Sequence, residues 1–235
     1  MYRQIIFSFL LMAGYASPLY SQLPAIEQDR FNAVKVFDAN GRPFVNPNLD
    51  IAGSPFFIDS WKYGMVTLTN NDVYSKRLLK LDFEKQEVHY LSEANVEMTL
   101  PKGFIKRVVL TDSVQSNTIQ YDFQSGFPQI DKQDEKFLYH VLSNGKVKML
   151  ESIQKKIITD KNEYTGEIAK EFRAYESYYF FSNKSIQKIK KDKSFLLNLF
   201  EDKKELIEEY IKTNKFTCKS IVEIQKITNY YNSLQ

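Results

Sequence analysis

The hydrophobic periodicity of the chain changes once, near Lys190, and this change constrains the fold more than any other feature of the sequence. From about residue 33 to residue 181, short runs of Val, Ile, Leu, Tyr and Phe are separated by turn residues, a pattern typical of strands. Beyond residue 190 the apolar residues recur with the helical period of about 3.6. The pattern predicts a mainly β (α+β) protein, in which an antiparallel β-rich domain over 22–190 precedes a helical segment over 191–235 that packs on it.

The clearest strand signal lies in the middle of the chain. The runs 64–69, 73–83 and 88–91 are separated by polar turns and predict an antiparallel meander, within a sandwich or a curled sheet. Alternation along the second run predicts a buried face with Leu79, Leu81 and Phe83. The other face, with Lys80 and Asp82, is predicted to meet water. Further strands are predicted at 96–100, 105–111, 118–123, 137–142, 147–158 and 173–181.

Two Asn-Gly pairs predict hairpin turns, because both central residues of such a turn take positive φ angles that Asn and Gly tolerate. Asn40-Gly41 lies between apolar runs at 33–37 and 43–45. Asn144-Gly145 is the strongest two-residue hairpin signal in the chain.

The C-terminal segment predicts a small bundle of three short helices. The first covers 194–200, the second covers 203–213, and the third opens after Ser220. Asp202 with Glu205, and Ser220 with Glu223, have the spacing of capping boxes. The predicted buried stripes of the last two helices are Leu206, Ile207, Tyr210 and Ile211, and Ile224, Ile227, Tyr231 and Leu234.

The first 21 residues have the pattern of a secretory signal peptide. Arg3 is followed by an apolar run over 5–16, and no acidic residue occurs before Glu27. The run is shorter than the roughly 20 apolar residues that cross a bilayer, so no transmembrane segment is expected in the mature chain. Cleavage is predicted after Ser21 or after Ala16. We therefore expect an exported protein that is periplasmic, outer-membrane-associated or extracellular.

Composition narrows the classes of partner and site. The single cysteine, Cys218, lies far from the leader, so neither a lipid-bearing N-terminal cysteine nor a disulfide within the chain is expected. We interpret it as a small apolar residue before a helix rather than a reactive thiol. Loss of residues 1–21 removes one of the 32 basic residues and none of the 29 acidic ones, which leaves a net charge near +2. This balance argues against a nucleic-acid partner.

Motifs for catalysis, cofactor binding and metal binding are missing from the sequence, so no residue is assigned to such a site. His89 and His140 are interpreted as ordinary strand residues. A metal site made of one histidine and two carboxylates remains an alternative. Asp131, Asp134 and Glu135 are interpreted as a solvated loop, because adjacent acids are common in polar turns.

A basic cluster follows an aromatic run at 178–181. It is interpreted as a solvated junction between strand and helix, with attraction to a phosphate-bearing glycolipid as the weaker alternative; its members are Lys184, Lys188, Lys190, Lys191 and Lys193. Asn183-Lys184-Ser185 matches the glycosylation acceptor pattern, which matters only in a host that modifies it.

Several segments of the chain together carry a family resemblance. They are the stretch 53–57, the hairpin formed by 64–68 with Val73-Tyr74, the segment 194–200, the pair Tyr210-Ile211 and the run 229–232. Together they resemble a group of uncharacterised exported proteins of Bacteroidetes-type bacteria. The resemblance covers most of the mature chain. It implies a β-rich body followed by a helical tail and it implies export, but it assigns no activity or catalytic residue.

Two functional hypotheses follow from the sequence. The first is a non-enzymatic envelope protein whose sheet binds a partner protein, a glycan or an apolar molecule, with aromatic residues lining a pocket if the sheet curls. The second is a hydrolase of envelope polymers that uses two carboxylates or a His-carboxylate pair. A histidine in a cleft, within hydrogen-bond reach of an acid, would favour the second hypothesis.

Overall fold

A computed structural model describes residues 51–234 except 115–116 and 165. The predicted leader and the hairpin at Asn40-Gly41 lie outside the described residues. The part of the chain from residue 51 onward belongs to one compact unit.

Eleven strands of the described residues form one open sheet, which confirms the mainly β fold. Their order is β1-β10-β9-β8-β7-β6-β2-β3-β4-β5, with β11 also paired to β10. The strands are β1 (Ile51–Ala52), β2 (Lys62–Leu68), β3 (Val73–Asp82), β4 (Glu87–Leu91), β5 (Glu97–Leu100), β6 (Ile105–Val114), β7 (Asn117–Gln124), β8 (Tyr139–Ser143), β9 (Lys148–Lys161), β10 (Ile168–Ser182) and β11 (Ser185–Lys188).

Two meanders make up this sheet, and they join through β6, which pairs with β2. The first meander runs from β2 to β5 and ends at the edge of the sheet, and the second runs from β6 to β10. One pairing departs from the expected antiparallel arrangement: β1 lies parallel to β10, with Ile51 beside Lys170. Two connected antiparallel strands need only a short turn, whereas β1 and β10 are far apart in sequence, so nothing local dictates their direction.

The sheet curls until its two meanders meet along one face. The backbone N–H of Lys155 in β9 donates to the carbonyl of Phe83, just after β3, at 2.9 Å. Gln86, buried in the β3–β4 turn, donates to the carbonyl of Ile153 and accepts from the backbone N–H of Leu138, each at 3.2 Å. These bonds join β3 to β9 although four strands separate them in the sheet order. The face enclosed by this curl is called the concave face.

Strand register places a row of side chains across the concave face. The row comprises Val66, Val108, Phe123, His140, Glu151 and Tyr178, from β2 to β10. At one end of the row, Val66 and Val108 belong to a buried cluster with Leu79, Leu81, Phe83 and Phe123. At the other end, Tyr178 packs against the cluster beneath the C-terminal helices. Two apolar cores therefore share one face of the sheet.

Three α-helices close the β8–β10 side of the concave face. They are α1 (Lys193–Leu199), α2 (Lys204–Thr213) and α3 (Ile221–Ser233), with a 3-10 turn at Glu201–Lys203. Leu196, Phe200 and Ile227 pack on Met149 and Phe180 of the sheet, and all five side chains are fully buried. On the opposite face, the loop after β7 covers a third cluster with Phe127, Phe137, Tyr139, Leu150 and Tyr179.

Neither predicted capping box forms in full, although the Glu223 carboxylate accepts the backbone N–H of Ser220. Asp202 lies in the 3-10 turn, and its carboxylate accepts hydrogen bonds from Lys146 at 2.6 Å and Tyr231 at 2.9 Å instead of capping α2. Ser220 is the N-cap residue of α3, but its hydroxyl makes no capping bond. Asp192 provides a cap that the pattern did not predict, because its carboxylate accepts the backbone N–H of Phe195 at 3.0 Å. Tertiary partners thus decide which acid caps a helix.

The predicted type of turn at Asn144-Gly145 is wrong. Four residues join β8 to β9, and neither Asn144 nor Gly145 has a positive φ angle. Gly145 is needed for close approach, since a Cβ atom there would lie 2.5 Å from Cγ of Asn232 in α3. A two-residue turn with positive φ angles occurs at Asn183 (49°) and Lys184 (61°), between β10 and β11.

Burial differs from the predicted patterns at two other positions. Asp82 is buried rather than exposed to water, because its carboxylate accepts the backbone N–H groups of Glu84 and Lys85 within the turn. Leu206 is 42% exposed, because Ile207 and Ile211 form the buried side of α2 and Leu206 lies on its flank. Cys218, interpreted from the sequence as a small apolar residue, is buried, and burial raises the pKa of its thiol.

Candidate ligand-binding pocket on the concave face

A pocket of about 320 Å³ opens on the β2–β5 side of the concave face, away from the helices. Its floor includes Val66 and Leu79, which are buried, and its walls include Leu68, Tyr90 and Leu100, which are half-buried. The polar lining residues are Tyr74, Arg77, Ser92 and Glu93. An apolar concavity with a few polar groups at its rim is the usual form of a small-molecule site.

A β-bulge in β3 brings the lining residues of this strand to one face. Arg77 lies opposite Gly64 of β2, whereas Tyr74 lies opposite Val66, so three residues of β3 span two residues of β2. Lys76 takes a φ angle of 55° at the bulge. In a regular strand, Tyr74 and Arg77 would point to opposite faces, since their separation is odd. The bulge therefore places Tyr74, Arg77 and Leu79 on the pocket side together.

Gly64 lets Leu79 lie close to the backbone of β2. A Cβ atom at this position would lie 2.7 Å from Cδ1 of Leu79 and 2.5 Å from the carbonyl oxygen of Val109. Neither contact is compatible with a side chain. The glycine therefore fixes the shape of the pocket floor through packing, and no positive φ angle is involved.

The charged groups at the rim are weakly engaged with each other. Nη2 of Arg77 lies 3.6 Å from Oε1 of Glu93, beyond ordinary hydrogen-bond length. The Glu93 side chain is 89% exposed, whereas that of Arg77 is 37% exposed. Such a pair contributes about 1 kcal/mol or less. Arg77 is thus less exposed than Glu93 and is only weakly engaged with it.

Both histidines lie within hydrogen-bond reach of an acid, but they lie on opposite faces of the sheet. Nδ1 of His140 is 2.8 Å from Glu151 on the concave face. Its ring stacks on Phe123 with a centroid distance of 4.9 Å and also contacts Phe57 and Tyr121, so the side chain is only 15% exposed. The imidazole is thus packed among three aromatic rings.

His89 lies beside Lys80 and Thr99 on the convex face. Its Nδ1 is 2.6 Å from Glu97, and its Nε2 is 3.9 Å from Asp82. The Asp82 carboxylate already accepts two backbone N–H groups, so it is committed to the β3–β4 turn. Within the described residues, no group of three or more His, Cys, Asp or Glu side chains is arranged to hold a metal ion.

Two acids of the acidic loop, Asp131 and Asp134, make separate contacts with other elements. Asp131 accepts hydrogen bonds from Tyr179 at 2.8 Å and Lys188 at 3.1 Å, which lower the pKa of its carboxyl group. Burial, with help from Asp131, raises the pKa of Tyr179 to about 12. Asp134 pairs with Lys102 at 3.1 Å. The loop is therefore tied to β10, β11 and the segment before β6 by separate contacts.

Two members of the predicted basic cluster are engaged in ion pairs. Lys188 pairs with Asp131 at 3.1 Å, and Lys193 pairs with Glu208 at 2.7 Å. The sequon residues Asn183 and Lys184 form the tight turn before β11. Acidic side chains from other elements thus lie next to part of the basic run, which reduces its local field.

Two other concavities are more polar than the pocket at β2–β5. One, of about 330 Å³, lies where Lys146, Asp202 and Tyr231 already bond to one another. The other, of about 430 Å³, includes Lys76, Arg107 and Gln120 in its lining.

Among the helices of residues 51–234, none has the length and apolar character needed to cross a bilayer.

Sequence reasoning did not identify the pocket residues. A signal did exist in Leu79, Leu81 and Tyr90, whose alternation marks the concave face. The local sequence does not predict that Arg77 lies on the concave face with these residues. The β3 bulge puts Tyr74 and Arg77 on the same face although their separation is odd, and a lysine at position 76 does not indicate a bulge. The turn carrying Ser92 and Glu93 comes to the rim only through the pairing of β4 with β5.

Comparison with known proteins gives no assignment: no family model, no curated protein and no solved structure matches this chain. The resemblance to exported proteins of Bacteroidetes-type bacteria therefore stays a prediction.

Proposed function

We propose that this chain is an exported, non-enzymatic binding protein that takes an apolar molecule into the pocket between β2 and β5. The observation that carries the proposal is the apolar concavity itself, about 320 Å³ in volume, on the concave face. Ligand pockets have volumes of about 300 to 1,000 Å³ and are lined mainly by apolar and aromatic groups. The leader pattern of residues 1–21 supports export.

The pocket has a firm floor, which favours binding without reorganisation. Val66, Leu79 and Val108 beneath it are at most 2% exposed and pack in the larger sheet core. The walls, by contrast, are half-buried side chains, including Leu68 and Leu100, that leave apolar surface in contact with water. A ligand that covers this surface gains about 25 cal/mol for each Å² removed from water.

The two His-carboxylate pairs do not support the hydrolase alternative. A general base needs a reacting group within hydrogen-bond reach, directly or through one water. His140 is enclosed by three aromatic rings, and His89 lies on the other face of the sheet from the pocket. We propose that both pairs hold strands together, as a charge-assisted cross-strand contact does.

A pocket-filling substitution tests the binding function. Titration with Nile red, a neutral dye that fluoresces in apolar surroundings, should show saturable binding to the exported form. Leu100→Trp places a large side chain in the pocket and should weaken binding by tenfold or more, on the order of the loss of a buried aromatic-sized contact. Thr99→Trp is the matched control, because Thr99 is exposed on the other face of β5.

The binding proposal fails if the dye does not saturate, or if Leu100→Trp and Thr99→Trp change its affinity equally. Export has a separate test in N-terminal sequencing of the protein from whole cells and culture fractions. A mature N-terminus at Gln22 or Ser17 supports the leader assignment. Retention of residues 1–16 in the mature product contradicts it.

A further inference from the structure

We infer that the ligand of this pocket is an amphiphile with an anionic head group, which Arg77 binds at the rim while the apolar chain occupies the floor. The inference rests on the proposed binding function and names the class of ligand. It is carried by the placement of one weakly engaged guanidinium beside an apolar concavity.

Arg77 has the position that a head-group ligand requires. The β3 bulge turns it to the pocket side, on the same face as Leu79. Its apolar stem can pack along the wall while its head remains near water, as long basic side chains commonly do. Guanidinium groups bind carboxylate and phosphate oxygens through two parallel hydrogen bonds. At 3.6 Å from Glu93, Arg77 has no such bidentate partner in that residue.

Glu93 acts as a placeholder that an incoming anion can displace. It follows β4 at the rim, and its side chain is 89% exposed, so it regains nearly full hydration when it leaves Arg77. The exchange favours an anionic head group whose attached chain is bound in the pocket beneath it. The chain and the head group then lose their translational and rotational freedom together, in a single binding event. A cationic head group would find Glu93 only at the outermost rim, with Arg77 repelling it from below.

The volume limits the length of the chain. An apolar cavity of about 150 Å³ accommodates one benzene molecule, so 320 Å³ accommodates about twice that, roughly a dozen carbon atoms. A single short acyl chain fits this volume, and a two-chain lipid does not fit entirely. Tyr74 and Ser92 supply polar atoms in the lining for the atoms next to the head group.

Paired probes of equal chain length test the inference. Calorimetric titration of the mature protein with octanoate and with octanol, both below their micelle or solubility limits, compares a charged with a neutral head. Arg77→Gln should weaken octanoate binding by about tenfold, as expected for loss of a charge-assisted pair, and leave octanol binding within about twofold. Arg77→Lys should recover part of the octanoate affinity, because it restores the charge without the bidentate geometry.

Two further variants sharpen the result. Glu93→Gln should strengthen octanoate binding by about twofold to threefold, because the competing carboxylate is removed. Arg173→Gln on the β9–β10 hairpin is the matched control for net charge, since Arg173 pairs with Asp160 and Glu171 and does not line the pocket. It should leave both affinities unchanged. Melting curves establish that each variant is folded.

The outcomes separate this inference from the binding function beneath it. If neither probe binds the unaltered protein, the proposed binding function fails and the head-group inference fails with it. If octanol binds and Arg77→Gln leaves octanoate affinity unchanged, or weakens both probes equally, the pocket binds apolar molecules but the anionic head group is wrong. Selective loss of octanoate affinity supports both.

Discussion

The two halves of the concave face have similar apolar cores but different covers. On the β8–β10 half, α1, α2 and α3 cover Val147, Met149 and Phe180, which are at most 3% exposed. On the β2–β5 half, the equivalent surface includes Leu68, Tyr90 and Leu100, which remain half-buried around a pocket. The polar His140–Glu151 pair, on β8 and β9, lies in the row between Val66 at the pocket and Tyr178 beneath the helices.

This difference shows how one sheet can combine stability with binding. The helices are short and would be marginal alone, so their apolar sides and the sheet stabilise one another. The pocket side leaves some apolar area uncovered, which costs stability and leaves a surface for a ligand. Substitutions that remove the same kind of side chain should therefore have different effects on the two halves.

The largest expected effect is on the helical half. Ile227→Ala removes buried methyl groups from a side chain that is 0% exposed and should lower the free energy of unfolding by about 2 to 5 kcal/mol. Leu100→Ala, on the pocket half, should cost about 1 kcal/mol or less because its side chain is already partly hydrated. Urea unfolding followed by circular dichroism measures both.

Ile227→Ala also tests whether the helices and the sheet unfold together. Hydrogen exchange should show that amides of β9 and β10 lose protection along with those of α3. Exchange that accelerates in the helices alone would contradict the shared core, because the helices would then be a separate cooperative unit.

A smaller effect is expected where the helical half meets the β8–β9 turn. Gly145→Ala brings a methyl group against Asn232, whose side chain bonds the N–H and carbonyl of Val147 at 3.1 and 2.8 Å. The substitution should cost about 1 to 3 kcal/mol through overpacking and loss of these bonds. In an Asn232→Ala background the same change should cost much less. Equal costs in both backgrounds would remove Asn232 as the cause.

Helix caps give the next test. Asp192→Ala removes the carboxylate that caps α1 and should lower the melting temperature by about 2 to 4 °C. Ser220→Ala at the start of α3 should leave the melting temperature nearly unchanged, because its hydroxyl makes no capping bond. The reverse ranking would restore the capping box that the sequence spacing predicts.

The smallest expected effect is the acid dependence contributed by Asp202. The hydrogen bond from Lys146, more than that from Tyr231, lowers the pKa of this carboxyl group in the folded state. Its contribution is therefore present above the unfolded carboxyl pKa and is lost as the pH falls through the folded value. Because the side chains of Lys146 and Asp202 are 47% and 43% exposed, screening by solvent keeps this contribution small.

The difference in stability between the wild-type protein and Asp202→Asn should accordingly shrink between neutral pH and about pH 3. Unfolding at both pH values in low salt measures it. A difference that grows on acidification would show that Lys146 and Tyr231 do not stabilise the charged form of Asp202.

Local sequence patterns predict most strands and helices but not the tertiary contacts between them. Alternation predicted β2 to β10 to within a few residues at most ends, and Ile224, Ile227 and Tyr231 are buried as their spacing indicates. The pattern missed β1 and β11, which have two and four residues. It also misassigned Asp202 and Gly145, whose roles depend on Tyr231, Lys146 and Asn232 from other elements.

The pocket was beyond sequence reasoning for the same physical reason. Arg77 reaches the concave face through a bulge that only strand pairing reveals, and the curl depends on contacts such as Gln86 with Ile153, which are distant in sequence. A general expectation of a pocket on a curled sheet was available from the aromatic and alternating content. The sequence did not predict where on the sheet the pocket lies or that Arg77 lines it.

The contrast between an open and a sealed half is tested most directly by methyl NMR during titration with octanol. The open half provides the methyl groups of Leu68, Leu79 and Leu100, and the sealed half provides those of Leu196, Ile207 and Ile227. We expect saturable shifts in the first set and no change in the second, since only the first borders accessible apolar space. Shifts centred on the helical set, or none in either set, would contradict the account.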